Sequence, residues 1–281
     1  MILIADSGAT KTDWLLINNS NNTFITTTGI NAYYMSSESI VSMLQDELMP
    51  SIPADKVNSI YYYGAGCSTD AKCAKISDLM KGLFPNAVIE VNHDMLAAAR
   101  SLCDSKPGIA CILGTGSNSC VYDGHMITRQ MVSLGYFFGD EGSGTHMGKL
   151  LITDYLRGEM PNHISDKLTD EFNLSLEFVL DNIYNKPSPN RFLASFAPFI
   201  QQNGMDAYIR QLINRSFTEF LKMGVMKFSG YEKYEVSFVG SIAFHFKDIL
   251  FDVASSHGIT ICRIQKSVIE GLMEYHKEQS K

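Results

Sequence analysis

Apolar residues in the first third of the chain fall into short runs bounded by glycine, aspartate or other polar positions. The runs predict strands near residues 2–6, 12–18 and 23–28, at Ser59–Tyr63 and at Ala87–Val91. Stretches with helical spacing lie between them, over 38–49, 70–83 and 93–104. Short strands separated by helices imply parallel pairing through crossovers. The pattern then restarts. Ile109–Leu113 reads as a buried strand, Ser119–Tyr122 as its hairpin partner, and Asp123-Gly124 as a turn. From about 142 to 228 the chain reads as mainly helical, broken by a Pro-rich loop at 186–190 where Ser188 or Asn190 offers a helix cap. Two further strands, 235–239 and 259–262, alternate with helices over 241–256 and 267–279.

This restart is a loose internal repeat. An apolar strand runs into a Gly/Thr-rich turn at residues 6–12 and again at 114–118, and each turn is followed by a strand that would return as a hairpin. Two such halves would face one cleft, and 281 residues are enough for two α/β domains. The net charge of −7, with no basic block, argues against nucleic acid as a partner. No run reaches the roughly 18 apolar residues of a membrane span. Met1–Ala5 opens as a strand rather than as a signal peptide, so the expected location is cytoplasmic. The six cysteines include no CxxC pair and read as free thiols filling core space. The histidines lack metal-ligand spacing, and His146 and His245 read as packing or surface residues. Tyr61-Tyr62-Tyr63 fits a strand better than a base-stacking platform.

Five segments carry candidate chemistry. In Asp6-Ser7-Gly8-Ala9-Thr10-Lys11-Thr12 the small residues let backbone N–H groups approach phosphate oxygens, Thr10 and Thr12 add hydroxyls, and Lys11 adds a cation. Asp6 ends its strand where a Mg²⁺ and its waters could sit. An ordinary hairpin turn has the same composition. Leu113-Gly114-Thr115-Gly116-Ser117-Asn118 repeats this logic at the second strand–hairpin junction, and two such loops can close on one nucleotide tail. In Asn92-His93-Asp94, Asp94 follows a strand and opens a helix. It is placed for phosphoryl-transfer chemistry, where a hydroxyl needs positioning more than full deprotonation, and equally for a helix cap. Gly139-Asp140-Glu141-Gly142-Ser143 sets two acids among glycines, fit to accept hydrogen bonds from sugar hydroxyls or to cap the next helix. In Val239-Gly240-Ser241 a bare glycine ends a strand, where the chain could lie flat against a purine or approach a phosphate, or simply turn into a helix with Ser241 as its cap.

In this order the segments resemble the BadF/BadG/BcrA/BcrD ATPase-like family, and within it the N-acetylglucosamine kinase-like branch. The segment from Asp6 to Thr12 resembles the family's first phosphate motif, with Ser7 in place of the usual first glycine. Leu113–Asn118 resembles the second, Gly139–Ser143 a segment of the amino-sugar kinases, and Gly240-Ser241 the adenosine motif. Asn92-His93-Asp94 resembles their Asn-Asp segment with one residue inserted. The resemblance implies two actin-like (ribonuclease H-like) domains around an interdomain ATP cleft. The first would span 1–104, with a C-terminal helix over 266–281 as a candidate addition, and the second 105–265 with a helical insertion. It implies ATP and Mg²⁺ as cofactors, with Asp6 organising the metal through water. Gly8, Thr10, Lys11, Thr12, Gly114, Thr115, Gly116, Gly240 and Ser241 would hold ATP and its phosphates. Asp94 would take the proton of the sugar 6-hydroxyl, and Asn31, Gly116, Ser117, Asn118 and Asp140 would hold the sugar. The expected activity is phosphorylation of N-acetylglucosamine, with N-acetylmuramic acid and glucosamine as alternatives. A homodimer fits the family. Two competing expectations, an iron–sulfur activator ATPase and a sugar-responsive regulator, require clustered cysteines and a preceding DNA-binding segment respectively.

Overall fold

A computed structural model of the chain describes residues 1–8, 11–18, 21–30, 35–67 and 69–279. They divide into two compact units. One comprises Met1–Lys106, Gly124–Met126 and Ser267–Lys281, and the other Pro107–Asp123 and Ile127–Lys266.

The first unit is built on β1 (Ile2–Ser7), β2 (Lys11–Ile17), β3 (Asn22–Thr28), β4 (Ser59–Gly64) and β5 (Val88–His93), in the order β3-β2-β1-β4-β5. β1 pairs antiparallel with β2 and parallel with β4, and β4 parallel with β5. The second unit contains β6 (Gly108–Leu113), β7 (Ser117–Tyr122), β8 (Ile127–Gln130), β9 (Val236–Val239) and β10 (Ile261–Gln265), in the order β10-β9-β6-β7-β8. Read from β8, this is the same order with the same pairing senses. The repeat in the sequence is thus a repeat of topology. The central strands β1 and β6 are covered on both faces, which is why they read as continuous apolar runs.

Each unit has its own core. In the first, Leu3, Trp14, Ile60 and Tyr62 pack with Ile40, Leu44, Ile76 and Met80 of the flanking helices. Trp14 is fully buried, and its indole N–H finds the Thr27 hydroxyl at 3.0 Å. In the second, Phe217, Phe220 and Phe238 pack with Met147 and Leu151. No helix among the described residues is long and apolar enough to cross a membrane.

Four local expectations change. Ile127–Gln130 forms a strand where none was expected, and Gly135–Phe138 forms a short helix. The helix expected over 241–256 is two, Ser241–His245 and Lys247–Ser256, because Phe246 at φ −109°, ψ 22° leaves helical geometry to bury its ring. β10 begins at Ile261 rather than 259, since Gly258 is still turning at φ 72°.

In the first unit the helices Asp94–Cys103 and Ile269–Gln279 cross closely, and a Cβ on Gly271 would lie 2.3 Å from the Ser101 hydroxyl. A polar knot joins them to the sheet. Arg100 donates to Glu90 and to the Tyr63 oxygen, both at 2.7 Å. The Tyr63 hydroxyl lies 2.8 Å from His276 Nε2, and the His276 ring stacks on Tyr61. Burial, with the Arg100 charge adding to it and Glu90 opposing, pushes His276 down to about 4. A histidine held neutral in the fold binds its proton readily only when unfolded. Its contribution is complete above about 6.5 and is lost as the pH falls toward 4. The Tm of wild type should therefore fall more steeply between pH 7 and 5 than that of His276→Asn, a difference worth on the order of 1 kcal/mol. Identical slopes in paired thermal melts would refute this.

Candidate active site

In the first unit, the parallel register aligns Asp6 of β1 with Tyr63 of β4 and Asn92 of β5, and Ser7 with Gly64 and His93. Asp6, near the end of β1, and Asp94, just after β5, therefore lie at the same edge of the sheet with β4 between their strands, where α/β folds present their chemistry. The two carboxylates sense each other. Burial first, then the charges of Asp94 and Asp13, push the Asp6 carboxyl up to about 7, against the pull of Lys11. Burial also raises Asp94, opposed by His93 and by the backbone N–H groups of Met95 and Asp94 itself. Asp94 does not cap its helix. That role falls to His93, whose Nδ1 accepts from Leu96 N at 3.3 Å.

The β1–β2 turn is closed by Gly8 N–H donating to the Lys11 carbonyl at 3.0 Å. Thr12 is fully buried, with its hydroxyl 2.8 Å from that of Ser7 and 3.5 Å from the Thr28 carbonyl. Ser7 in turn accepts from Ile30 N at 3.4 Å. The Thr12 hydroxyl thus braces the turn from inside, with Ser7 as its partner. Lys11 is exposed, with its ammonium 2.6 Å from Asp13. Thr10 and Asn31 lie outside the described residues.

No group of three or more His, Cys, Asp or Glu among the described residues forms a metal cage. Mg²⁺ does not need one, because it keeps most of its waters and takes one or two carboxylates. A pair of carboxylates whose mutual repulsion a cation would relieve suits such an ion, so the residues around Asp6 fit water-mediated Mg²⁺.

In the second unit the β6–β7 turn is docked on the start of the helix Gly144–Arg157. Gly114 O accepts from Gly144 N at 2.9 Å, and Thr115 O accepts from Thr145 N at 3.1 Å and from its hydroxyl at 2.5 Å. Gly240, at φ 122°, lies against the same turn, and a Cβ there would be 2.2 Å from the Leu113 carbonyl. Beside this junction is a cavity of about 280 Å³, lined among others by Gly114, Thr115, Pro198, Gln201, Ser241 and His245. Gly114, Thr115 and Ser241 of the expected nucleotide residues thus meet in one place. Gln201 and His245, 3.4 Å apart, join them. The helical stretch that carries Gln201 holds no motif to mark it, and His245 reads from the sequence as a packing or surface residue although it closely follows the Gly240-Ser241 segment.

Gly116 belongs elsewhere. Its Cβ would lie 2.9 Å from Asp140 Oδ1, which accepts from Ser117 N at 3.1 Å. Asp140 adopts φ 59°, unusual for a residue with a side chain, and burial raises its carboxyl while the Ser117 N–H works the other way. Asp140 is not a helix cap either, since Ser143 fills that position. A second cavity of about 240 Å³ is bounded by Ser117, Asp140, Glu141 and Lys227, with Met131 and Leu134 as an apolar flank. The Ser117 hydroxyl is buried without a hydrogen-bond partner. Asn118 lines neither cavity, and its Oδ1 accepts from Ser119 N.

No family model matches the chain, and no curated protein does. Among solved structures, a candidate N-acetylglucosamine kinase from Porphyromonas gingivalis is 39% identical over 100% of both chains, with a TM-score of 0.95. A second candidate N-acetylglucosamine kinase, from Chromobacterium violaceum, shares the fold at 17% identity over 98% of both chains, TM-score 0.74. A non-polymerising mutant of MamK bound to AMPPNP shares it at 10% identity over 96% of this chain and 95% of its own, TM-score 0.53. The fold is therefore the two-domain actin-like α/β architecture. With whole-length identity to the Porphyromonas protein added, the chain belongs to the same family as that protein, a family of sugar kinases.

Proposed function

We propose that the protein transfers the γ-phosphoryl group of ATP to the 6-hydroxyl of an N-acetylated amino sugar, N-acetylglucosamine first, within the N-acetylglucosamine kinase-like branch of the BadF/BadG/BcrA/BcrD family. The observation that carries this reading is the cavity at Asp140. A buried, unpartnered Ser117 hydroxyl beside a half-buried carboxylate is costly in a closed fold and useful in a sugar site, where hydroxyls supply the missing partners. The apolar flank of Met131 and Leu134 suits an acetyl methyl. The likeness to the Porphyromonas protein supports the same substrate class.

In this reading Asp94 accepts the proton of the 6-hydroxyl and orients its oxygen for attack. A loose transition state asks more for orientation than for a strong base, which a carboxylate at a helix start can meet. Gly8, Thr10, Lys11, Gly114 and Thr115 hold phosphate oxygens. Gly240 and Ser241 border the nucleoside. Asp140, Ser117, Gly116, Asn118 and Asn31 hold the sugar. Asp6 would hold Mg²⁺ through water, and the ion when bound neutralises phosphate charge.

The test is ADP release with ATP and a panel of N-acetylglucosamine, N-acetylmuramic acid, glucosamine and glucose. The expected result is highest kcat/KM with N-acetylglucosamine and a loss of about 10–200-fold for glucosamine, which lacks the acyl group. Folded protein that binds ATP yet releases no ADP with any of these sugars would overturn the proposal.

A further inference from the structure

The Asp140 carboxylate sits on a tight turn of left-handed backbone. Asp140 and Gly142 both have positive φ, at 59° and 77°, and the turn closes through Ser143 N donating to Asp140 O at 3.1 Å. A Cβ on Gly142 would meet Phe220 Cβ at 2.6 Å, so the turn is pressed against the helix Ala207–Phe220. Such a conformation persists only where its surroundings impose it.

One buried side chain does so. His146, 5% exposed, receives Gly142 N at its Nδ1, 3.4 Å away, and lies 2.8 Å from the Ser216 hydroxyl through the same nitrogen. Its Nε2 is 3.2 Å from the Glu219 carboxylate, which also accepts from Arg215 Nε at 3.0 Å. Glu219 draws the ring proton to Nε2 and leaves Nδ1 as the acceptor. The His146 backbone N–H completes the arrangement by donating to Ser143 Oγ at 3.1 Å.

We infer that His146, oriented by Glu219, is a positioning residue for the sugar site: it holds the Asp140–Gly142 turn so that the Asp140 carboxylate is presented to the sugar hydroxyls. This rests on the proposed kinase function. The ring must be neutral to do it, because a second ring proton would face the Gly142 N–H. Burial, with the charges of Lys149 and Arg215 adding to it and Glu219 opposing, pushes His146 down to about 4, so the acceptor persists through the neutral range.

The experiment is steady-state kinetics on wild type, His146→Leu, His146→Asn and Glu219→Leu, varying sugar and ATP separately. His146→Leu should raise the sugar KM about tenfold or more while the ATP KM stays within about twofold. His146→Asn, whose Oδ1 can accept the Gly142 N–H, should recover most of that loss. Glu219→Leu, at a partly exposed position, should raise the sugar KM about threefold, and this variant decides alone if His146→Leu does not fold. A sugar KM unchanged in the folded Leu variants, or sugar and ATP KM rising together, would overturn the inference while leaving the kinase intact. Wild type that turns over no sugar would instead overturn the function, and the inference with it.

Discussion

Replacing Asp94 with Asn lowers sugar-dependent ADP release by about 10²–10⁴-fold, the range a general base contributes, without loss of fold. The amide keeps the shape of the carboxylate and can still hold the substrate, but it cannot take the proton. The effect should therefore appear in kcat, with the sugar KM within a few-fold of wild type. The variant also removes a charge that the fold disfavours. Burial raises Asp94, and Asp94 in turn raises Asp6. Losing one of two repelling carboxylates should leave the Tm equal to or above that of wild type, the familiar exchange of stability for activity. The measurement is kcat and a thermal melt on the same preparation. A turnover above a tenth of wild type would remove Asp94 from its proposed role, and a large drop in Tm would make it structural.

The sequence was most legible where one short segment decides its own conformation. The paired hairpins, β1–β2 and β6–β7, follow from apolar strands and small turn residues within a few positions, and their equivalence survives as identical strand order in the two sheets. Strand β8 was missed because Ile-Thr-Arg-Gln is too short and too polar to stand out, and it forms only by pairing with β7. The break at Phe246 has no proline or glycine to announce it, being set by where the ring packs. The site shows the same division. Asp6, Asp94 and the two glycine turns lie in compact motifs. Gln201 reaches the cavity beside the β6–β7 turn, and Ser216 reaches His146, from helices far along the chain, so their placement depends on tertiary packing. Ser7 reads as a departure from a glycine pattern, and in the structure it is hydrogen-bonded to Thr12, which braces the same turn. His146 reads as a packing or surface residue. It is buried, as the first of these requires, but each of its ring nitrogens is engaged.

Gly240→Ala abolishes nucleotide binding and destabilises the second unit by about 2–4 kcal/mol. Two independent penalties act at one residue. The backbone at φ 122° lies where residues with a Cβ are rarely found. The added methyl would also sit 2.2 Å from the Leu113 carbonyl and 3.3 Å from Gly114 N. These are backbone atoms at the end of β6, so no side chain can swing aside to relieve the contact. Either β9 is pushed away from β6, or the turn at Gly114 moves. Moving β9 strains the parallel ladder, in which Gly240 N also donates to Gln265 O at 3.0 Å. Moving the turn breaks the bonds from Gly144 and Thr145 that shape the cavity where Gly114, Thr115 and Ser241 meet. Both routes end in the cavity proposed for the nucleotide, which is why the affinity loss should exceed that of Ser241→Ala, a change that leaves the backbone in place. Calorimetric titration with ATP, alongside chemical unfolding, reads both effects. ATP affinity in Gly240→Ala within about threefold of wild type would show that the cavity does not depend on this contact and would move the nucleotide elsewhere on the protein.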